Sequence, residues 1–235
     1  MKKLQALLIA GVAATALAAT DAHALIITLG EVEIDSIADV GQSFDVNYSG
    51  QVEGDPVPGL TALTTWTYLG ITGGDALNFS IYAENTSSAP IDGSRVTAMG
   101  FDVDPNVTGV TSEDPFEQIH TPGLLPGLTT VDVCLGGNFQ ACQAASNPGL
   151  ELGEFATFNL TLTFSPLPAD GRITLGNFGV RYASIETDLQ LDSDSGTGPG
   201  TPTNGTPVPE PATLALLGIG LLGAGYMARR RRDDA

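Results

Sequence analysis

Between residues 44 and 182 apolar and polar side chains alternate, and this period of two constrains the fold more than any other feature. Phe44, Val46 and Tyr48 are separated by polar residues, as are Leu77, Phe79, Ile81 and Ala83, and Met99, Phe101 and Val103. The longest run is Ala156, Phe158, Leu160, Leu162 and Phe164, interleaved with Thr157, Asn159, Thr161 and Thr163. Val131 and Val133, Ile173 and Leu175, and Phe178, Val180 and Tyr182 continue the pattern, and the Thr-rich stretch from Thr61 to Leu69 reads the same way. One buried face set against a Thr/Asn face is the signature of a half-exposed antiparallel strand. Gly- and Pro-rich turns separate the runs, among them Gly54-Asp55-Pro56, Gly73-Gly74-Asp75 and Ala169-Asp170-Gly171. No helical stripe exceeds two turns. The pattern predicts an all-β chain: about eight strands in a single antiparallel β-sandwich or jelly-roll-like domain over residues 25–191.

The rest of the chain is punctuation around that domain. Asp192 to Gly200 contains no aliphatic or aromatic side chain, so residues 192–206 read as a flexible Gly/Pro/Ser/Thr linker. At the other end, Lys2 and Lys3 precede an apolar stretch from Leu4 to Ala19, and Ala22-His23-Ala24 is a small-x-small cleavage site. Residues 1–24 are therefore a predicted signal peptide, with Leu25 as the mature start. A second apolar run, residues 212–228, carries no charge and stops at Arg229, Arg230, Arg231 and Arg232. It is close to the shortest length that spans a bilayer, and four arginines directly after it hold that end in the cytoplasm. The body is then delivered to the outside.

Charge and cysteine content fit that address. From Leu25 to Pro207 there are 23 Asp and Glu against Arg95, Arg172 and Arg181, so the net charge is 3 − 23 = −20. Such a field excludes nucleic acid as a partner and disfavours anionic lipid. Cys134 and Cys142, an even pair in an oxidising compartment, read as a disulfide.

Reactive constellations are scarce. His120 is the one histidine beyond the signal peptide; it reads as a surface-loop residue, and no Gly-x-Ser-x-Gly elbow accompanies it. Two cysteines and a distant histidine do not make a zinc set. Asp102 and Asp104, and Asp192 and Asp194, are weak calcium candidates, since carboxylates at alternate positions resemble calcium loops but no bidentate Glu follows. No cofactor is expected. Tyr48, Trp66 and Tyr68 are the aromatics available for stacking on a sugar. Six Asn-x-Ser/Thr sequons, at Asn47, Asn78, Asn85, Asn106, Asn159 and Asn204, read as Asn and Thr sharing exposed strand faces, with glycosylation as the alternative.

The tail carries a family resemblance. Pro207-Val208-Pro209-Glu210-Pro211-Ala212-Thr213-Leu214, then the apolar helix, then four arginines, resembles the PEP-CTERM sorting signal. The resemblance implies a Gram-negative bacterium making exopolysaccharide, with the chain as substrate of an exosortase acting near Pro209, Glu210 and Pro211. More loosely, Arg95 to Pro105, Val131 to Cys142 and Val180-Arg181-Tyr182 resemble the cistern group of PEP-CTERM proteins. The implied partners are the exosortase, the secretion and signal-peptidase machinery, the membrane before processing and the exopolysaccharide. The expected role is a non-enzymatic surface or matrix protein. A glycan-binding module, betrayed by an exposed Trp66, is the alternative; a secreted hydrolase with a convergent carboxylate pair comes third.

Overall fold

A computed structural model describes residues 25–125, 128, 130–136, 142 and 149–204. Ala22 and Ala24, the motif Pro209 to Pro211, the apolar run 212–228 and Arg229 to Arg232 all lie outside the described residues.

The described fold is all-β and contains no helix. The first half supplies β1 (Ile26–Thr28), β2 (Glu31–Asp35), β3 (Ser43–Val52), β4 (Asp55–Thr72), β5 (Ala76–Glu84) and β6 (Ile91–Asp104). Short strands follow: β7 (Gly109–Ser112), β8 (Gln118–His120), β9 (Gly123–Leu124), β10 (Thr130–Val131), β11 (Val133–Gly136) and β12 (Leu150–Glu151). Long β13 (Phe155–Thr163) and β14 (Arg172–Thr187) precede β15 (Gly196–Asn204). Thirteen strands form one antiparallel sheet in the order β7-β13-β5-β4-β3-β15-β14-β6-β11-β8, with β2 added to β14, β1 to β2 and β12 to β6; β9 and β10 make a separate hairpin. The two end strands β7 and β8 approach each other, so the sheet is nearly closed. The expected pair of stacked sheets is thus one rolled sheet, and in place of the expected eight strands there are fifteen among the described residues, because short strands extend it.

Alternation builds the core as the period-two pattern requires. Trp66 is fully buried, with Phe44, Phe79, Phe101 and Phe178 at ring-centroid distances of 5.6, 5.9, 5.1 and 5.7 Å. Its indole N–H donates to Thr64 Oγ1 at 2.8 Å, and the same oxygen meets the Tyr48 hydroxyl at 3.2 Å. Outside, the polar parity of five strands lines up in one row: Thr157, Tyr82, Thr65, Asp45 and Thr203 are successive cross-strand partners. Many groups on this face bond one another, for example Thr65 Oγ1 to Asp45 Oδ1 at 2.6 Å and Thr161 Oγ1 to Asn78 Oδ1 at 3.0 Å.

The linker expected over residues 192–206 is corrected most sharply. Gly196 to Asn204 is β15, which pairs with β14 on one side and β3 on the other and thereby joins the two halves of the sheet. Even the preceding turn is tied down. Arg181 Nη2 donates to Ser195 Oγ at 2.7 Å, and Ile185 N donates to Asp194 O at 2.8 Å. The misleading composition has a packing reason. A Cβ at Gly200 would lie 2.7 Å from Tyr48 Cε1, 2.7 Å from Val46 Cγ1 and 2.8 Å from Phe178 Cβ. β3 and β14 fill the interior with large side chains, so the strand between them has to be thin. Two prolines in an interior strand run against the usual rule; here each is paired on one side only, Pro199 with Gly179 of β14 and Pro202 with Val46 of β3.

Candidate functional site

The described residues place each sequence candidate. Cys134 on β11 is joined to Cys142, with Cα atoms 6.2 Å apart, inside the roughly 7 Å that a bridge can close. The disulfide sits in a small second core with Ala98, Leu125 and Val131, beneath the β9–β10 hairpin. His120 is not in a loop: it ends β8 and pairs directly with Cys134, half-buried.

The calcium candidates are not brought together. Asp102 Oδ1 accepts from Asp132 N at 3.1 Å and Oδ2 from Asn177 Nδ2 at 3.0 Å, while Asp132 Oδ2 accepts from Val103 N at 3.0 Å. The Asn177 bond holds β6 to the irregular stretch of β14, where Asn177 has φ 46°, and the two bonds with Asp132 hold β6 to the link between β10 and β11. Asp104, Asp192 and Asp194 are exposed, and no group of three or more His, Cys, Asp or Glu suited to a metal occurs among the described residues.

Tyr48, Trp66 and Tyr68 are all core residues, so none is a sugar platform. Burial pushes the Tyr48 and Tyr182 phenols well above their ordinary range. Burial also pushes Tyr68, whose hydroxyl donates to Ser36 O at 2.9 Å, up to about 12, with the charges of Asp35 and Asp39 adding to the effect. The exposed aromatic surface is elsewhere. Phe155, 66 % exposed, stacks on Tyr82 at 5.6 Å, and the Tyr82 hydroxyl donates to Glu84 Oε2 at 2.8 Å. Strand parity could have revealed both rings, because each sits on the Thr/Asn/Ser parity of its strand rather than on the core parity.

A polar cleft of about 350 Å³ opens at the same end of the body, lined by Asp92, Ser94, Arg95, Glu151, Ser184 and Glu186 among others. Arg95 is ion-paired with Glu151. Ser184 has φ 52° beside the irregular stretch of β14, which turns its backbone away from the ladder. Behind the cleft, Asn85 is fully buried. Its amide donates to Ser94 O, Ser94 Oγ and Leu150 O, each at 3.1 Å, and its carbonyl accepts from Ser87 N at 3.2 Å. This hub pins β6, β12 and the crossover from β5 together. It also makes Asn85 the one sequon on a fully buried asparagine among those described.

At the opposite end, the last described residue of β15, Asn204, pairs with Phe44. The loop leading into β3 runs from Ser36 to Gln42. It is held against β4 by Gly41 N to Tyr68 O at 2.8 Å and Tyr68 N to Gln42 O at 3.0 Å. Asp35 Oδ1 accepts from Ile37 N and Ala38 N, both at 3.0 Å, and Asp39 Oδ2 accepts from Asp35 N at 2.6 Å. The loop is fixed, yet it projects Ile37 at 82 % and Val40 at 51 % exposure, with Leu69 at 51 % on the neighbouring strand end.

Only Gly205 and Thr206 separate Asn204 from the start of the tail. Residues 207–232 match the family model described as the PEP-CTERM protein-sorting motif. No curated protein and no solved structure matches the chain. The body therefore has no matched relative to supply a site, and what the comparisons show rests on the tail: residues 207–232 carry a PEP-CTERM protein-sorting motif.

Proposed function

We propose that the chain is a non-enzymatic protein of the cell surface or exopolysaccharide matrix, released there after its anchor has been processed. The observation that carries this reading is the direct join of a nearly closed, acidic β body to the sorting motif. The outward-facing groups also support it, because many of them are bonded to one another across neighbouring strands rather than converging on a reacting atom. A net charge of −20 keeps such a body soluble and self-repelling in a crowded polymer. The test is fractionation of the native host. Wild-type protein should leave the inner membrane in an exosortase-dependent way, whereas a Pro209→Ala, Glu210→Ala, Pro211→Ala variant should stay there uncleaved. Equal release of both proteins would falsify the reading.

One observation favours a glycan-binding module as second reading. The Phe155–Tyr82 stack stands on the outer face beside Glu84, close in sequence to Glu151 and Leu152 of the polar cleft. An aromatic face flanked by hydrogen-bonding groups is how a sugar ring is held. Phe155→Ala should then weaken retention in the matrix without changing processing; unchanged retention removes this reading.

A further inference from the structure

We propose that the end of the folded body bearing Ile37, Val40 and Leu69 is a docking surface for the exosortase, so that the enzyme engages the body as well as the Pro-Glu-Pro peptide. The inference rests on the sorting reading above and adds a second contact to it. Chain length makes the approach compulsory. Asn204 is fixed in the sheet opposite Phe44, and Pro207 is three residues further on. Three residues reach at most about 11 Å, and the five to Pro209 at most about 18 Å. A motif lying in the enzyme's cleft therefore holds this end of the body against the enzyme. A free linker over residues 192–206 would have imposed no such contact.

The surface at that end suits a protein partner. Ile37 and Val40 project from a loop whose backbone is locked by Asp35, Asp39 and Tyr68, so their exposure is built in. Asn204 pairs with Phe44, four residues from Val40 in the sequence, so the last described residue of β15 stands at the end of the body that bears this loop. Exposed aliphatics on a rigid loop fit an apolar patch on the partner. The bilayer is the competing occupant, and a body of charge −20 is repelled by anionic headgroups, which favours the enzyme. A short tether makes even a weak contact effective, since it raises the local concentration of the two surfaces.

The experiment uses the full-length precursor in its native host, together with a tagged, catalytically inactive exosortase. A photo-crosslinking side chain is placed at Ala38, which is exposed and lies between Ile37 and Val40, and in parallel at Thr206 and at Phe155. Adducts to the enzyme from positions 38 and 206, and none from 155 at the opposite end, are expected. In cells with active enzyme, an Ile37→Ser, Val40→Ser, Leu69→Ser variant should convert to mature protein about tenfold more slowly, the scale of one or two well-placed apolar contacts. Inserting a spacer of about ten Gly/Ser residues after Asn204 should make the same substitutions nearly silent, because the contact is no longer held in register. An enzyme adduct at 206 without one at 38, lipid adducts alone at 38, or wild-type conversion of the triple variant overturns the docking surface while leaving sorting intact. Absence of enzyme adducts at both 38 and 206 overturns the sorting reading and the docking surface with it.

Discussion

Replacing Gly200 by Ala separates a strand from a linker by the sign of its effect. In a flexible linker Gly→Ala is neutral or stabilises by about 0.4–1 kcal/mol, because it removes freedom from the unfolded chain. In β15 the new methyl would meet Tyr48, Val46 and Phe178 at 2.7–2.8 Å, distances that demand movement of the core on two neighbouring strands. Overpacking of this kind costs about 1–3 kcal/mol. For a body of this size that lowers Tm by roughly 2–12 °C. The assay is urea unfolding of the mature chain followed by tryptophan fluorescence, since Trp66 lies in the core that receives the methyl. Thr201→Ala, at an exposed position of the same strand, should stay within about 0.5 kcal/mol. Val46→Ala removes one clashing methyl, so the double variant should lose less than the sum of the two single changes. An unchanged or raised midpoint for Gly200→Ala would refute the placement of β15 in the sheet.

Three further outcomes are expected. Replacing both Cys134 and Cys142 by Ala should lower stability by about 2.5 kcal/mol, the chain-entropy value for so short a loop, as measured by denaturant unfolding; no change would mean the second core holds the β9–β10 corner without the bond. Asn85→Ala should cost more than about 3 kcal/mol, because it strips partners from Ser87 N, Ser94 O and Leu150 O at once, and a loss below about 1 kcal/mol would show that water replaces the amide. Tyr68 has a folded-state pKa raised to about 12 from an ordinary 10.0, so its contribution is complete below pH 10 and is lost as pH climbs through about 12. The urea midpoint should fall over that window and tyrosinate absorbance should rise together with unfolding; ionisation of every tyrosine near pH 10 in a still-folded protein contradicts the buried placements of Tyr48, Tyr68 and Tyr182.

The core was legible in the sequence because it depends on strand parity alone. Phe44, Val46, Tyr48, Leu77, Phe79, Ile81, Phe158, Leu160 and Leu162 are all inside, as a period of two demands. Composition misled where small residues serve packing rather than flexibility. The Gly-Thr-Gly-Pro-Gly run of β15 shows no alternation of apolar side chains, because those facing inward have been replaced by hydrogen to make room for Tyr48, Phe178 and Tyr182. The same limit hid the candidate sites. Trp66 was the natural sugar-stacking ring by residue type, yet its parity with Thr64 and Tyr68 puts it inside, while Phe155 and Tyr82 carry the opposite parity and stand outside. Closure of one sheet instead of stacking of two depends on pairings far apart in sequence, which no local pattern encodes.

Those long-range pairings bear on how an exported chain of this kind is completed. β15 pairs with β3, so residues around 200 must find partners around 48, and the two halves of the sheet remain unjoined until the end of the body is free to pair. Non-local pairing of this type is slow, since loop-closure entropy comes before the contacts that offset it. Until it happens, the stretch from Thr187 to Pro207 is a tether of about 20 residues that reaches roughly 70 Å; afterwards only the three-residue step from Asn204 remains. Closing the sheet therefore shortens the chain between the last paired residue and the sorting motif, and ties it to the end of the body that bears Ile37 and Val40. The last strand both finishes the fold and sets where the tail is presented, and this double duty accounts for a Gly/Pro-rich segment that packs as an interior strand directly before the motif.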